Sequence, residues 1–248
     1  MQESVTVQAA IIRIKRVYGM LRYANPAERN VRLKPMRMLC LSLLLAATTL
    51  ASLAQTPLQH PTSTPYAGDL NIFETPGRAE RLHIDRVMDI MRITPGKTVA
   101  DIGAGGGWFS VLAAKRVGPT GTVLAEDINP LYIEAINKRA ATEHLPNIKA
   151  ILGTPGDPRL PPNSVDAVMM LKVYHEIAHP QTVLAALYVA MRSGARFGII
   201  DRNGKGDDHG LAEKTAREEV ERAGFRQVAR HDFTKDDGQD YFLVFEKR

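Results

Sequence analysis

Short apolar runs recur along the chain from residue 99, and stretches with apolar positions three and four apart separate them. The runs at 99–102, 123–125, 148–152 and 195–201 read as strands. The run at 165–171 is apolar on both faces, which suits a central strand of a parallel sheet covered on both sides. Residues 225–233 and 240–248 read as two closing strands, the last one antiparallel. Between the strands, 77–92 places Leu82, Val87, Ile90 and Met91 near one helical face, and 108–117 has the same spacing through Phe109, Leu112 and Ala113. Asn129 and Pro130 supply an N-cap and a first-turn proline for a helix running to about residue 144. Further amphipathic helices span 179–192 and 209–224, the second ended by Gly224. This alternation predicts an α/β fold built on a doubly wound sheet, with ligands at the carboxyl ends of its strands.

Residues 1–74 break the rhythm. Residues 36–55 read MRMLCLSLLLAATTLASLAQ: a basic Arg37, an apolar run over 38–53, and small residues Ser52 and Ala54 ahead of Gln55. That is the layout of an export signal, and the run is shorter than the ~20 residues that span a bilayer comfortably. It predicts a periplasmic or secreted protein; the alternatives are a membrane anchor formed by 38–54 and a cytoplasmic protein. Residues 1–35 stand ahead of the place where a signal begins, and they read as an N-terminal extension from an overcalled start. Pro57, Pro61 and Pro65 make 55–74 a linker, which leaves 75–248 as the folded domain. Any membrane contact would run through residues 1–54.

Charge and cysteine content sharpen this division. Eight basic and two acidic residues precede residue 55, so the remaining 24 basic and 25 acidic residues leave the rest with a net charge of −1, against +5 for the whole chain. A near-neutral domain argues against nucleic acid as a partner. The single cysteine, Cys40, also lies in the N-terminal segment, so the domain has no disulfide framework, cysteine metal site or cysteine nucleophile.

Residues 99–110, VADIGAGGGWFS, place an Asp and then four glycines directly behind the first strand. Missing side chains let a ligand reach backbone N–H groups and let the next helix pack close. A dinucleotide fingerprint counted from Gly103 requires glycine at position 108, where Trp108 stands. A phosphate loop requires Lys and then Ser or Thr after its last glycine, and Gly107 is followed by Trp-Phe. What remains is an alternating pattern of Asp101, Gly103, Gly105 and Gly107.

On these residues the chain resembles the class I S-adenosylmethionine-dependent methyltransferases. VADIGAGGGWFS is similar to their first motif, and GTVLAEDINPLYIEAI to the segment in which the second strand ends in an acid. GTPGDPRLPPNSVDAVMMLKVYHEI is similar to their acid-bearing loop and fourth strand, and MRSGARFGIID to their helix, turn and fifth strand. The resemblance covers about residues 75–248 and is nearest to small-molecule, quinone-methyltransferase-like members. It departs at Ser193-Gly194-Ala195, where the family usually has Pro-Gly-Gly. It implies a Rossmann-like, seven-stranded, mostly parallel sheet with an antiparallel final strand, S-adenosyl-L-methionine as cofactor and a small-molecule acceptor. By the same resemblance Gly103, Gly105 and Gly107 would line the methionine and ribose, and Asp101 would face the amino group. Asp127 would take the ribose hydroxyls, with Glu126 as its alternative. Ile128 would pack on the adenine, and Asp157 would face the exocyclic amine. A SAM-binding domain without catalysis is the competing reading.

Methyl transfer requires a dry pocket and an aligned nucleophile, with a general base only for some acceptors. Candidates follow strands four and five: Tyr174, His175, Glu176 and His179, then Asp201, Arg202 and His209. His175 is the expected base or substrate contact, with Glu176 to orient it. The string HEIAH at 175–179 has the spacing of a zinc metalloprotease, but that chemistry requires one continuous helix. Here the string follows a buried strand, and Pro180 disfavours helix at the residue before it. No metal ligand is assigned, and a zinc hydrolase is the remaining alternative.

Overall fold

A computed structural model describes residues 60–247. The expectations for residues 1–35 and 36–54 lie outside the described residues. Among the described residues no helix is long and apolar enough to cross a membrane.

Seven strands form one sheet: β1 (Thr98–Ile102), β2 (Thr122–Asp127), β3 (Ile148–Leu152), β4 (Val165–Leu171), β5 (Met191–Asp201), β6 (Phe225–His231) and β7 (Tyr241–Lys247). Their order is β3-β2-β1-β4-β5-β7-β6. The first five pair in parallel, while β7 runs antiparallel to both β5 and β6. Strand order reverses between β1 and β4, which is where such sheets bind ligands. The expected sheet, with its antiparallel last strand, is therefore present.

Helices cover both faces. On one side lie α1 (Arg78–Arg81), α2 (Ile84–Ile90), α3 (Trp108–Val117) and α4 (Pro130–Thr142); Leu82, Val87, Phe109 and Ile136 pack there against Val99, Val123 and Met169. On the other lie α5 (Pro180–Ala190) and α6 (Glu213–Arg222), whose Leu184, Leu187 and Val220 meet Val168, Phe197 and Phe245. The Asn129 side chain accepts the Leu131 N–H at 3.0 Å, so the expected N-cap is formed.

Several boundaries differ from the sequence reading, and the helix expected from residue 209 starts only at Glu213. The single helix expected over 77–92 is two short ones, because His83 takes a left-handed φ of 49° between Leu82 and Ile84. Strand β5 begins at Met191 rather than 195; Gly194, at φ 74°, absorbs an irregularity in the pairing with β4 where a turn was expected. Residues 60–74, expected as linker, lie on the domain. Ser63 is buried and its N–H donates to the His175 carbonyl at 3.2 Å, and Leu70–Phe73 form a 3-10 turn.

The parallel register sets Ile102 beside Glu126 and Asp101 beside Ala125. Three carboxylates, Asp101, Glu126 and Asp127, are thus buried within two neighbouring strand ends. Glu126 is 3% exposed. Burial, with Asp127 next in the chain, pushes its carboxyl up from 4.5 to about 8, against a backbone hydrogen bond from Gly103. The folded protein therefore keeps a proton that the unfolded chain releases near pH 4.5. Its contribution to stability is present at acid pH and is lost as pH rises through that window to about 8. Glu126→Gln removes the titration with little change of shape. In thermal scans at about pH 8.5 it should raise the melting temperature by at least roughly 2–4 °C, the shift that ~1 kcal/mol produces in a domain of this size. The gain should narrow at about pH 5; an equal shift at both pH values would contradict the linkage.

Candidate active site

The turn from β1 into α3 is built on backbone that other residues resist. Gly103 and Gly105 have φ of 66° and 54°, a region that costs an L side chain energy. A Cβ on Gly103 would also stand 2.6 Å from a Val173 methyl, so that position is closed twice over. The bend turns the Gly105 N–H toward Asp127, whose Oδ2 accepts it at 2.8 Å, while Oδ1 accepts the Asn129 N–H at 2.9 Å. Burial raises the Asp127 carboxyl, and these backbone donors oppose the shift. Asp101 accepts the Ser110 hydroxyl at 2.6 Å, and burial pushes it up to about 6.

These groups face a cavity of about 800 Å³ at the carboxyl ends of β1, β2 and β4, within the size range of small-molecule sites. Asp101, Gly103, Gly105, Asp127 and Ile128 all line it, as the sequence suggested. Gly107 does not. It caps α3, and a Cβ there would touch Ile136 of α4 at 3.4 Å, so its bareness serves helix packing. Gly106 takes the place in the wall instead.

Asp157 is also misplaced by the sequence reading. Its carboxylate accepts the Arg159 N–H at 2.8 Å, closing a turn in the proline-rich loop, and it is exposed. Thr154, Pro155 and Pro158 of that loop line the cavity, and Asp157 does not. Glu126, the alternative to Asp127, also lines the cavity, though as the preceding strand residue it leaves the sheet on the opposite face. It lies beside Gly153, where a Cβ would come within 1.8 Å of its Oε1, and it reaches the cavity from that side.

After β4 the chain forms a 3-10 turn, Tyr174–Glu176, and α5 starts only at Pro180. The HEIAH string is thus split, and His179 is exposed at the helix start. The continuous helix of a zinc metalloprotease is not formed here. His175 is 3% exposed and sits behind the wall, its Nδ1 held 2.9 Å from both oxygens of the buried Asp201. Glu176 lines the cavity in its place; burial pushes its carboxyl up to about 7, against the pull of His175.

The sequence reading missed several wall residues. Arg78 lies over the Trp108 ring at 4.3 Å, and Lys172 over the Phe73 ring at 5.3 Å; all four line the cavity. Lys172 directly follows a strand, the one signal that pointed to it. The strap residues Thr62, Thr64 and Tyr66 also line it and carried no motif at all.

The wall suits a cationic nucleoside. Five acidic side chains, Glu74, Asp101, Glu126, Asp127 and Glu176, line it with two cations, Arg78 and Lys172; burial keeps Glu126 protonated up to about pH 8, and bare backbone stands beside the others. Each carboxylate oxygen of Asp127 keeps a second lone pair for a ligand hydroxyl.

Comparison with known proteins agrees with this geometry. Residues 99–194 match the family model described as a methyltransferase domain. The arsenite methyltransferase of Halobacterium salinarum is 33% identical over 109 residues, covering 44% of this chain and 28% of that protein. The demethylmenaquinone methyltransferase of Symbiobacterium thermophilum is 29% identical over 129 residues, covering 52% and 51%. The chain thus spans about half or less of the length of these relatives. A SAM-dependent methyltransferase structure from Aquifex aeolicus superposes with a TM-score of 0.66 at 22% identity, over 72% of this chain and 96% of that one. The sheet is thus the Rossmann-like fold seen in that methyltransferase structure, and residues 99–194 match a methyltransferase domain.

Proposed function

We propose that this protein moves the methyl group of S-adenosylmethionine to a small molecule bound in the same cavity. One observation carries the reading: a bare, left-handed backbone bend between buried carboxylates, at the point where strand order reverses. When bound, the sulfonium supplies an already activated methyl group.

The residues around it have separable tasks. Asp127, fixed by two backbone N–H groups, would accept the ribose hydroxyls with its remaining lone pairs. Asp101 has one oxygen committed to Ser110, which leaves the other for an ammonium group. Ile128, 39% exposed at the mouth, offers an apolar face to a base. Water is excluded by the strap. The Tyr132 hydroxyl donates to the Tyr66 carbonyl at 3.0 Å and lies 3.3 Å from the Gly68 carbonyl, latching that segment over α4. Arg78, Lys172 and Glu176 line the remaining wall and would meet the acceptor. His175 would act through Glu176, since it does not itself reach the cavity. The named relatives act on arsenite and demethylmenaquinone, so the reading commits to a small acceptor and to no single one.

Calorimetric titration with S-adenosylmethionine and its demethylated product tests the assignment. Binding is expected, and Asp127→Ala should weaken it by ~1.5–3 kcal/mol, the range for a charged hydrogen bond. Asp157→Ala should change it by no more than ~0.5 kcal/mol, as for an ordinary surface site. No binding, or equal losses in the two variants, would overturn the reading. Tyr132→Phe removes the latch and should weaken cofactor binding by ~0.5–1.5 kcal/mol; unchanged affinity would show that the strap does not close on the ligand.

A further inference from the structure

We propose that His175, Glu176 and His209 bind a divalent metal ion, with Asp201 as the residue that positions His175. One donor atom from each of the three lies within 4.8 Å of the others. They come from two segments, the turn after β4 and the loop after β5. The split HEIAH string contributes its first two letters, and His209 replaces His179 as the third group.

The chemistry of each donor fits. Asp201 occupies His175 Nδ1 at 2.9 Å, and Asp201 is in turn held by the backbone N–H of His175 at 3.2 Å and of Arg202 at 2.9 Å. A carboxylate on one ring nitrogen is the arrangement that presents the other to a metal. That other nitrogen, Nε2, stands 3.9 Å from Glu176 Oε1. The separation is too long for a hydrogen bond. It is near the ~3–4 Å that two metal bonds of ~2.0–2.2 Å set between donors. No hydrogen bond joins any two of the three side chains. The His209 ring stands edge-on to His175, with centroids 6.0 Å apart.

The scaffold holds His209 deliberately. It is a non-glycine residue at φ 58°, a conformation that costs energy and persists only where surroundings impose it. Its N–H donates to Ser63 Oγ at 2.8 Å, and that hydroxyl donates to the Gly206 carbonyl at 2.9 Å. The Ser63 N–H reaches the His175 carbonyl on the other segment. One strap residue therefore clamps both pieces of the cluster. Pro61 presses so closely on this loop that a Cβ on Gly206 would come 1.7 Å from its carbonyl oxygen.

Two imidazoles and a carboxylate form a donor set suited to zinc and other first-row divalent ions, with coordination positions left open. His209 is exposed, which gives the ion a path in, and Glu176 lines the cavity. An oxygen of the acceptor would complete the coordination shell; that role, unlike binding of the ion itself, rests on the methyl-transfer reading.

The test uses the tag-free full chain, stripped with chelator and titrated calorimetrically with zinc chloride without cofactor. One zinc per chain is expected. His209→Ala, a change at an exposed position, should weaken zinc binding at least tenfold. Asp201→Asn should weaken it by ~10–100-fold, as outer partners of ligating histidines do, and His179→Ala should leave it unchanged. Cobalt(II) in place of zinc should give visible absorption bands that His209→Ala abolishes. Absence of stoichiometric zinc, or full binding in His209→Ala, or loss of binding in His179→Ala, would overturn the site. Titrating the same samples with the demethylated cofactor separates the two readings: cofactor binding without zinc defeats only the metal site, and zinc without cofactor defeats only the methyl-transfer reading.

Discussion

Carboxylates with no cation between them, buried at the ends of two adjacent parallel strands, constrain everything else in this molecule. Register alone brings them together: β1 lies against β2 with Ile102 beside Glu126, so Asp101, Glu126 and Asp127 crowd one corner of the sheet. Like charges in a dry place repel, and the fold answers with local dipoles. Ser110 serves Asp101, and the Gly105 and Asn129 N–H groups serve Asp127. The Gly105 N–H is aimed at Asp127 by the left-handed bend behind β1, which ties the glycine run to the acid at the end of β2. Glu126 gets least relief and keeps its proton.

Legibility in the sequence followed how local each signal was. Strands β3 and β4 coincide with their apolar runs, and the helix after β2 begins where Asn129 and Pro130 say it should. These depend on neighbours within a few residues. The break at His83 and the long β5 do not, since each is set by what packs across the sheet or against the core. The site divides in the same way. Asp101, Gly103, Gly105, Asp127 and Ile128 belong to one turn and the adjoining strand end, and all reach the cavity. Gly107 and Asp157 share their composition with ligand-binding positions, but helix packing claims the first and a self-closed turn the second. Letters cannot distinguish those uses, because they are decided by where Ile136 packs in three dimensions and by a backbone N–H, that of Arg159, which any non-proline residue would offer.

The proline-rich stretch before the domain shows the opposite error. Pro61 and Pro65 make a chain that forms neither helix nor strand, and composition alone then reads as linker. An extended segment without regular structure can still be bound tightly when a surface supplies hydrogen bonds for its backbone. Ser63 finds them on the turn after β4 and on the loop after β5, and His60 Nδ1 stands 2.9 Å from Glu219, which also accepts the Tyr174 hydroxyl at 2.9 Å. Residues 62–67 then form part of the cavity wall.

That attachment bears on how the wall works. His175 cannot be an independent base: Asp201 holds one ring nitrogen, and the other faces Glu176 and not open cavity. Glu176, for its part, receives the Tyr66 N–H of the strap at 3.3 Å on the same oxygen that His175 Nε2 approaches. Strap, turn and loop therefore meet at one cluster: the strap donates to Glu176 and to the His175 carbonyl and accepts the His209 N–H. The cavity wall and the cluster thus share one set of strap groups, the Tyr66 N–H, the Ser63 N–H and the Ser63 hydroxyl.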